Sequence, residues 1–373
     1  MKPIRILQVV TTMNRGGLET MLMNYYRQMD RSRIQFDFMV HRSEKGHYDD
    51  EILSLGGKIH RMPPIRPGRY RLYFKMLDAF FAGHPEYRVV HAHINENSSF
   101  VLRAAKKAGV PYRIAHSHLS DLGLDLKLPF RLYARLSMKD QPNRYFACSK
   151  QAGQWLFGRK ISRSKEITIL NNAVNVEEFK FSERLRREVR DELRAEDKLV
   201  IGHIGRFNKQ KNHDFLIDVF AAVHRKCPDS ILVMAGDGHL RSSMEKKAAD
   251  LGLAPDVRFL GIRSDISRLM QGMDLFLFPS LFEGLPVVLI EAQAAGLRCV
   301  VSDSITREAD VTGRVDFVSL RESPQVWVDK ILASTHEHED TSELLRKSGY
   351  DTALMAKWLT QYYTDHASSF YHV

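Results

Sequence analysis

LVIGHIGRF, residues 199–207, is an apolar strand signal that starts a pattern for the second time. A short β-branched run of this kind suits a strand buried on both faces of a parallel sheet. It follows a highly charged helix, SERLRREVRDELRAEDK (182–198). Further strand signals come at SILVMAGDG (230–238), VRFLG (257–261), DLFLFPS (274–280) and RCVVSD (298–303), with helices between. The same alternation fills the first half. IRILQVV (4–10), FDFMV (36–40), KIHRM (58–62), VVHAHI (89–94), YRIAHSH (112–118) and RYFACS (144–149) read as strands. LETMLMNYYRQM (18–29), LYFKMLDAFFAG (72–83) and SFVLRAAKKAGV (99–110) read as helices.

Strands separated by crossover helices imply a parallel sheet covered on both faces. A chain of 373 residues is comfortable for two such domains. EITILNNAVNVEEF (166–179) holds a last strand, an Asn-rich turn and no helical period, which places the boundary near 172–180. The expected architecture is α/β: one Rossmann-like doubly wound domain over 1–175 and a second over 176–357. WLTQYYTDHASSFY (358–371), within a terminal segment 358–373, reads as a helix able to pack back on the first domain. Facing domains of this kind create an interdomain cleft, and open α/β sheets bind ligands at their carboxyl-edge loops.

The composition, 44% hydrophobic and 27% charged, is that of a soluble globular protein. Cys148, Cys227 and Cys299 are far apart and odd in number, so a reducing compartment is expected rather than a disulfide framework or zinc site. The N-terminal apolar stretch is too short for a signal peptide, and no window approaches the ~18–20 apolar residues of a membrane span. These features point to a cytoplasmic protein, soluble or peripheral.

Charge is uneven. Residues 1–175 hold 29 Lys+Arg against 14 Asp+Glu, and residues 176–373 hold 26 against 31. A basic first half faces either an anionic partner or simply water. No recognised nucleic-acid-binding motif is present, so nucleic acid is not the expected partner. IRPGRYRLYFK (65–75) and LKLPFRLYARL (126–136) interleave Arg and Lys with Tyr, Phe and Leu. Such segments fit an anionic bilayer interface, and equally fit ordinary amphipathic helices packed on a sheet.

Three signals carry chemistry. Gly16 and Gly17 follow the first strand, where a glycine loop and helix N-terminus admit an anion or merely form a tight turn. The G-x-G-x-x-G dinucleotide fingerprint is missing there. Arg206 and Lys211, five residues apart after the 199–207 strand, can both reach one diphosphate and stabilise a departing nucleotide's charge. PSLFEGLPVVLIEAQAAGLRCVVSD (279–303) sets Glu283 and Glu291 eight residues apart around a Gly-Leu-Pro turn. A helix starting near Pro286 or Val287 would aim free amides at phosphate oxygens. Glu291, about a turn further in, would accept from two vicinal ribose hydroxyls.

Taken in order, the glycine loop, the His-bearing strand end, the Asn-rich NNAVN hinge (171–175), the Arg…Lys pair and E-x7-E resemble glycosyltransferase family 4 over nearly the whole chain. The resemblance is strongest to its bacterial exopolysaccharide and capsule members. It implies a GT-B fold and a retaining, metal-independent hexosyltransferase with no resident cofactor. The expected donor is a nucleotide-sugar, preferentially a UDP-sugar, and the acceptor a glycan or a lipid-linked one. Position by position, it implies Gly16 and Gly17 near the donor phosphates, His118 at the transferred sugar, and Arg206 and Lys211 on the diphosphate. Glu283 falls beside the transferred sugar, Glu291 on the ribose, and the backbone of Leu285, Pro286, Val287 and Val288 along the phosphates and sugar. Gly236, Gly238 and Ile262 fall near the base. His118 is preferred to His116, which is expected on the opposite face of its strand. The chain reads EGLP where the family's commoner form is EGFG. Rival readings are a sugar-nucleotide 2-epimerase and a non-catalytic nucleotide- or glycan-binding protein.

Overall fold

The computed structural model describes residues 2–66, 68–118, 128–163 and 167–368. Residue 67 of the first basic segment, 126–127 of the second, Glu166, and 369–371 of the expected terminal helix lie outside the described residues. The chain divides into two compact units, Met1–Ala173 with Thr352–Val373, and Val174–Asp351.

The first unit is built on β1 (Ile4–Val10), β2 (Ile34–Val40), β3 (Ile59–Arg61), β4 (Val89–Ala92), β5 (Tyr112–Ser117), β6 (Arg144–Ala147) and β7 (Ile167–Ile169). All pairings are parallel and the spatial order is β3-β2-β1-β4-β5-β6-β7. The order reverses direction between β1 and β4, which is where an open parallel sheet leaves a crevice at its carboxyl edge. The β2 strand is buried at every position, as expected of a strand covered on both faces. The terminal helix begins at Thr352, earlier than the expected Trp358, and contributes buried Tyr363 to this unit.

The second unit holds β8 (Leu199–Ile204), β9 (Ser230–Ala235), β10 (Val257–Phe259), β11 (Leu275–Phe278), β12 (Arg298–Ser302) and β13 (Val315–Val318). Their order, β10-β9-β8-β11-β12-β13, is again all parallel with its switch point between β8 and β11. The charged segment forms the helix Glu183–Leu193, capped by the Ser182 hydroxyl and ended by Arg194 in the left-handed region. Its buried face is held by charge: Arg186 and Arg190 both pair with Asp274, whose carboxylate also accepts from the Val200 amide at 2.7 Å. Two elements depart from expectation. Val176–Phe179 is a single helical turn in a segment without helical period, and β13 forms an edge strand that the sequence pattern did not announce.

Gly236 and Gly238, expected near the base, have a packing role that stands without any ligand. Gly236 has φ +138°, and a Cβ there would run into the carbonyl oxygen of Gly205. Gly238 abuts the Phe207 carbonyl in the same way. The loop after β9 thereby lies directly on the loop after β8, joined by Phe207 N–H donating to Asp237 O at 3.0 Å. Gly236→Ala is expected to destabilise the second unit by roughly 3 kcal/mol, read as a lower urea midpoint.

Candidate functional site

In the second unit, the loops after β8 and β11 are stitched together. Asn208 caps a single 3-10 turn, Lys209–Lys211, by accepting from the Lys211 amide at 3.2 Å. Leu281 N–H donates to Gln210 O at 2.8 Å, Gln210 Nε2 to Phe282 O at 3.0 Å, and Asn212 Nδ2 to Pro279 O at 3.1 Å. These bonds fix the spacing between the two signals that were legible separately.

The result is an ion pair across the switch point. Lys211 Nζ lies 2.7 Å from Glu283 Oε1, with the side chains 16% and 8% exposed. The same Nζ sits 4.5 Å above the centre of the Phe278 ring. Lys211 therefore presents a cation already partly neutralised by its neighbour, while Arg206 is exposed and has no ion pair among the described residues. The two cations expected to act as a pair are thus in different states.

The helix Val287–Ala294 starts where expected, with Pro286 in extended conformation at its N-cap and no side chain capping it. Its first amides are left for a ligand or water. Leu285 is 4% exposed and Val287 5% exposed, so only backbone is offered there. Glu291 stands in the second turn of this helix. Burial, reinforced by the charge of Glu178, raises its pKa to about 7. Ile262 is 51% exposed at the end of the loop after β10, which is tied back by Gly236 N–H donating to Gly261 O at 2.7 Å.

In the first unit, Gly16 is the N-cap of the helix Gly17–Gln28 and has no side chain to cap it. Its φ of −133° is ordinary extended backbone, so the glycine is not demanded by conformation.

His118 follows β5 and is partly exposed, its backbone amide donating to Asn95 Oδ1 at 2.9 Å. Desolvation lowers its pKa to about 3, so near neutral pH it is an uncharged hydrogen-bonding group. The expectation for His116 is corrected. Its ring stacks on that of His118 at 4.0 Å, on the same face, because a strand's side chains return to one face every second residue.

The sequence reading did not single out His91 and His93. The H-x-H of β4 is the twin of the H-x-H of β5, and the adjacency of these strands stacks all four rings. Nitrogens of His91, His93 and His116 lie within 4.8 Å of one another. The rings lie face to face, at 4.2 Å for His91 and His93, whereas ligand lone pairs must point in the ring planes at one centre. His91 Nε2 instead meets His116 Nδ1 at 3.1 Å, and His93 Nδ1 meets His118 Nε2 at 3.0 Å. The cluster is a hydrogen-bond chain.

Residues 15–178 match the family model described as Glycosyltransferase Family 4, and residues 186–350 the one described as Glycosyl transferases group 1. The chain is 39% identical over 357 residues to EpsF of Bacillus subtilis (strain 168), a protein classed as a glycosyltransferase, with 93% of each chain covered. It is 26% identical over 228 residues to the UDP-Gal:alpha-D-GlcNAc-diphosphoundecaprenol alpha-1,3-galactosyltransferase of Escherichia coli, with 58% of each covered. The solved structure of Anabaena Alr3699/HepE in complex with UDP and glucose superposes with a TM-score of 0.79 at 19% identity, covering 97% of this chain and 100% of that one.

Proposed function

This chain belongs to glycosyltransferase family 4, and from that premise we propose that it is a retaining, metal-independent hexosyltransferase of surface polysaccharide synthesis. It moves a hexose or N-acetylhexosamine from a UDP-sugar to a glycan or lipid-linked acceptor. The second unit binds the donor and the first serves the acceptor. The nucleotide-sugar is a substrate, and no resident cofactor takes part.

The observation that carries this reading is the switch point of the second unit, where Lys211, Glu283 and an uncapped helix start meet on two stitched loops. Arg206, Lys211 and the free amides beginning at Val287 oppose the charge of the departing diphosphate. Glu291 accepts from the ribose hydroxyls. The acceptor hydroxyl attacks from the face the nucleotide leaves, and its proton passes to the departing phosphate oxygen. The Escherichia coli relative supports the donor and acceptor classes, since its name gives a UDP-sugar, a lipid diphosphate and an α-linkage. The HepE complex supports the base.

The test is turnover of a UDP-sugar with a polyprenyl-diphosphate-linked acceptor, with the product's anomeric configuration read by NMR. Retained configuration in the presence of EDTA is the expected result. Loss of activity in EDTA restored by Mn2+ would overturn the metal-independent account. Epimerised sugar formed from donor alone would favour the epimerase reading, and intact donor bound without turnover the binding-protein one.

Among the described residues no helix is long and apolar enough to cross a membrane. We place the enzyme in the cytoplasm, on the inner face of the membrane, through its two basic segments. They lie side by side: Tyr70 and Phe130 stack at 5.4 Å. The helices Tyr70–Gly83 and Leu128–Leu136 turn Tyr73, Leu77 and Ala134 inward yet leave Leu72, Leu132, Tyr133 and Leu136 exposed. Exposed Arg66, Arg69, Arg71 and Lys75 surround the first of these helices, which suits anionic headgroups. Co-sedimentation should favour anionic over neutral liposomes, and equal binding to both would remove the membrane from this account.

A further inference from the structure

We infer that Gln8 and Tyr363 are positioning residues for His118, fixing its proton on Nε2 so that Nδ1 is presented as a hydrogen-bond acceptor. The inference rests on the reading of His118 as a contact to the transferred sugar, and it deepens that reading by naming what the contact recognises: a sugar hydroxyl that donates.

The protons along this buried chain can be counted one by one. Gln8 is fully buried in β1, and its amide has one accepting and one donating end, both in use. Gln8 Oε1 lies 2.8 Å from His93 Nε2, and an amide oxygen only accepts, so His93 carries its proton on Nε2. A neutral imidazole has a single N–H, which leaves His93 Nδ1 as an acceptor. His93 Nδ1 lies 3.0 Å from His118 Nε2, so His118 must donate from Nε2 and keep Nδ1 bare. The single-proton premise holds because burial keeps His93 and His118 uncharged near neutral pH.

Tyr363 partners the Nε2 end of the Gln8 amide. Gln8 Nε2 donates to the Tyr363 hydroxyl at 3.4 Å, and that hydroxyl lies 2.7 Å from His91 Nδ1. In the orientation in which Gln8 Nε2 donates to it, the hydroxyl gives its own proton to His91 Nδ1. His91 then donates from Nε2 to His116 Nδ1, at 3.1 Å. Without the hydroxyl, the Nε2 end of the amide loses its partner and the amide is free to rotate by half a turn. Nε2 of Gln8 would then donate to His93, each ring along the branch would change tautomer, and His118 would carry its proton on Nδ1. A residue of the C-terminal helix, 355 positions from Gln8, thereby belongs to the chain that sets whether His118 offers an acceptor or a donor.

Long-range proton–nitrogen correlation spectra of the imidazole rings report the tautomer directly, whether or not the enzyme turns over. In the wild-type chain, with signals assigned by loss in His118→Gln, His118 should be protonated at Nε2 and bare at Nδ1 between pH 6 and about 9. Tyr363→Phe should give a mixture of the two tautomers, leave the UDP-sugar Kd within about twofold, and lower kcat in proportion to the Nε2-protonated fraction, about twofold for an equal mixture. Gln8→Leu, which removes the accepting end, should give the same mixture. A wild-type His118 protonated at Nδ1 overturns the inference, even if neither variant folds. So does a Tyr363→Phe protein that keeps both the wild-type tautomer and the wild-type kcat. If no nucleotide-sugar is bound or turned over, the functional reading fails while the spectra still decide the tautomer. If donor is turned over with the wrong tautomer, only this inference falls.

Discussion

Lys211→Ala should lower kcat by about 10²–10³-fold and, by a separate route, destabilise the second unit by about 3 kcal/mol. The rate is lost because a cation facing the departing diphosphate is gone. Stability is lost because Glu283, 8% exposed, is left as an enclosed carboxylate without the ammonium that lies 2.7 Å from it. The two effects separate in the double variant Lys211→Ala with Glu283→Gln. Replacing the carboxylate by an uncharged amide should return the urea midpoint most of the way to wild type. It should not return the rate. Recovery of both would mean that Lys211 serves only to neutralise Glu283. Because that lysine is already engaged, the exposed Arg206 carries more of the diphosphate's charge, and Arg206→Ala should weaken donor binding more than Lys211→Ala does.

Glu291→Gln should weaken UDP-sugar binding by about 10²-fold at pH 8, two charge-assisted hydrogen bonds being replaced by weaker ones. The pH dependence has a definite sign. With its pKa raised from 4.5 to about 7, Glu291 is half protonated near neutrality. If only the carboxylate holds the ribose, wild-type affinity falls by about tenfold for each unit below pH 7. The variant's affinity should be flat over that range. A UDP-sugar suits the measurement because its diphosphate does not titrate there. Stability runs the other way. The fold favours the protonated carboxyl, so this group's contribution is greatest below pH 4.5 and is lost as pH rises through about 7. Glu291→Gln should therefore melt higher than wild type at pH 8 and nearly with it at pH 5. A residue held at a cost to the fold, and needed for the ligand, is what a binding site predicts.

Much of the scaffold is legible in the sequence because buried parallel strands are short apolar runs. β1 matches IRILQVV residue for residue, and LVIGHIGRF contains β8. β13 escaped because its interior positions, Asp316 and Phe317, are only half-buried, so it lacks the continuous apolar run of a central strand. Val176–Phe179 escaped because one helical turn has no period to detect. The terminal helix starts six residues before Trp358, over TALMAK, whose apolar run Ala353–Leu354–Met355–Ala356 was open to the same helical reading.

At the candidate site, the sequence singles out the candidate residues but not which of them meet. Lys211 and Glu283 were each singled out, yet their pairing over 72 positions follows from β8 and β11 being neighbours in space. The four stacked histidines were open to a closer reading. Both H-x-H motifs keep their two rings on one strand face, and that periodicity already placed His116 beside His118. What no local pattern contains is Tyr363 closing the chain through Gln8, since that contact joins the first strand to the last helix.

The central claim is that the loops after β8 and β11 hold a nucleotide-sugar. Calorimetric titration with a panel of UDP-, GDP- and ADP-sugars, on wild type beside Arg206→Ala and Glu291→Gln, tests it most directly. The account predicts that a UDP-sugar binds wild type, and that both variants lose most of that affinity while remaining folded. If no nucleotide-sugar binds, or the variants bind as tightly as wild type, these loops do not form the donor site.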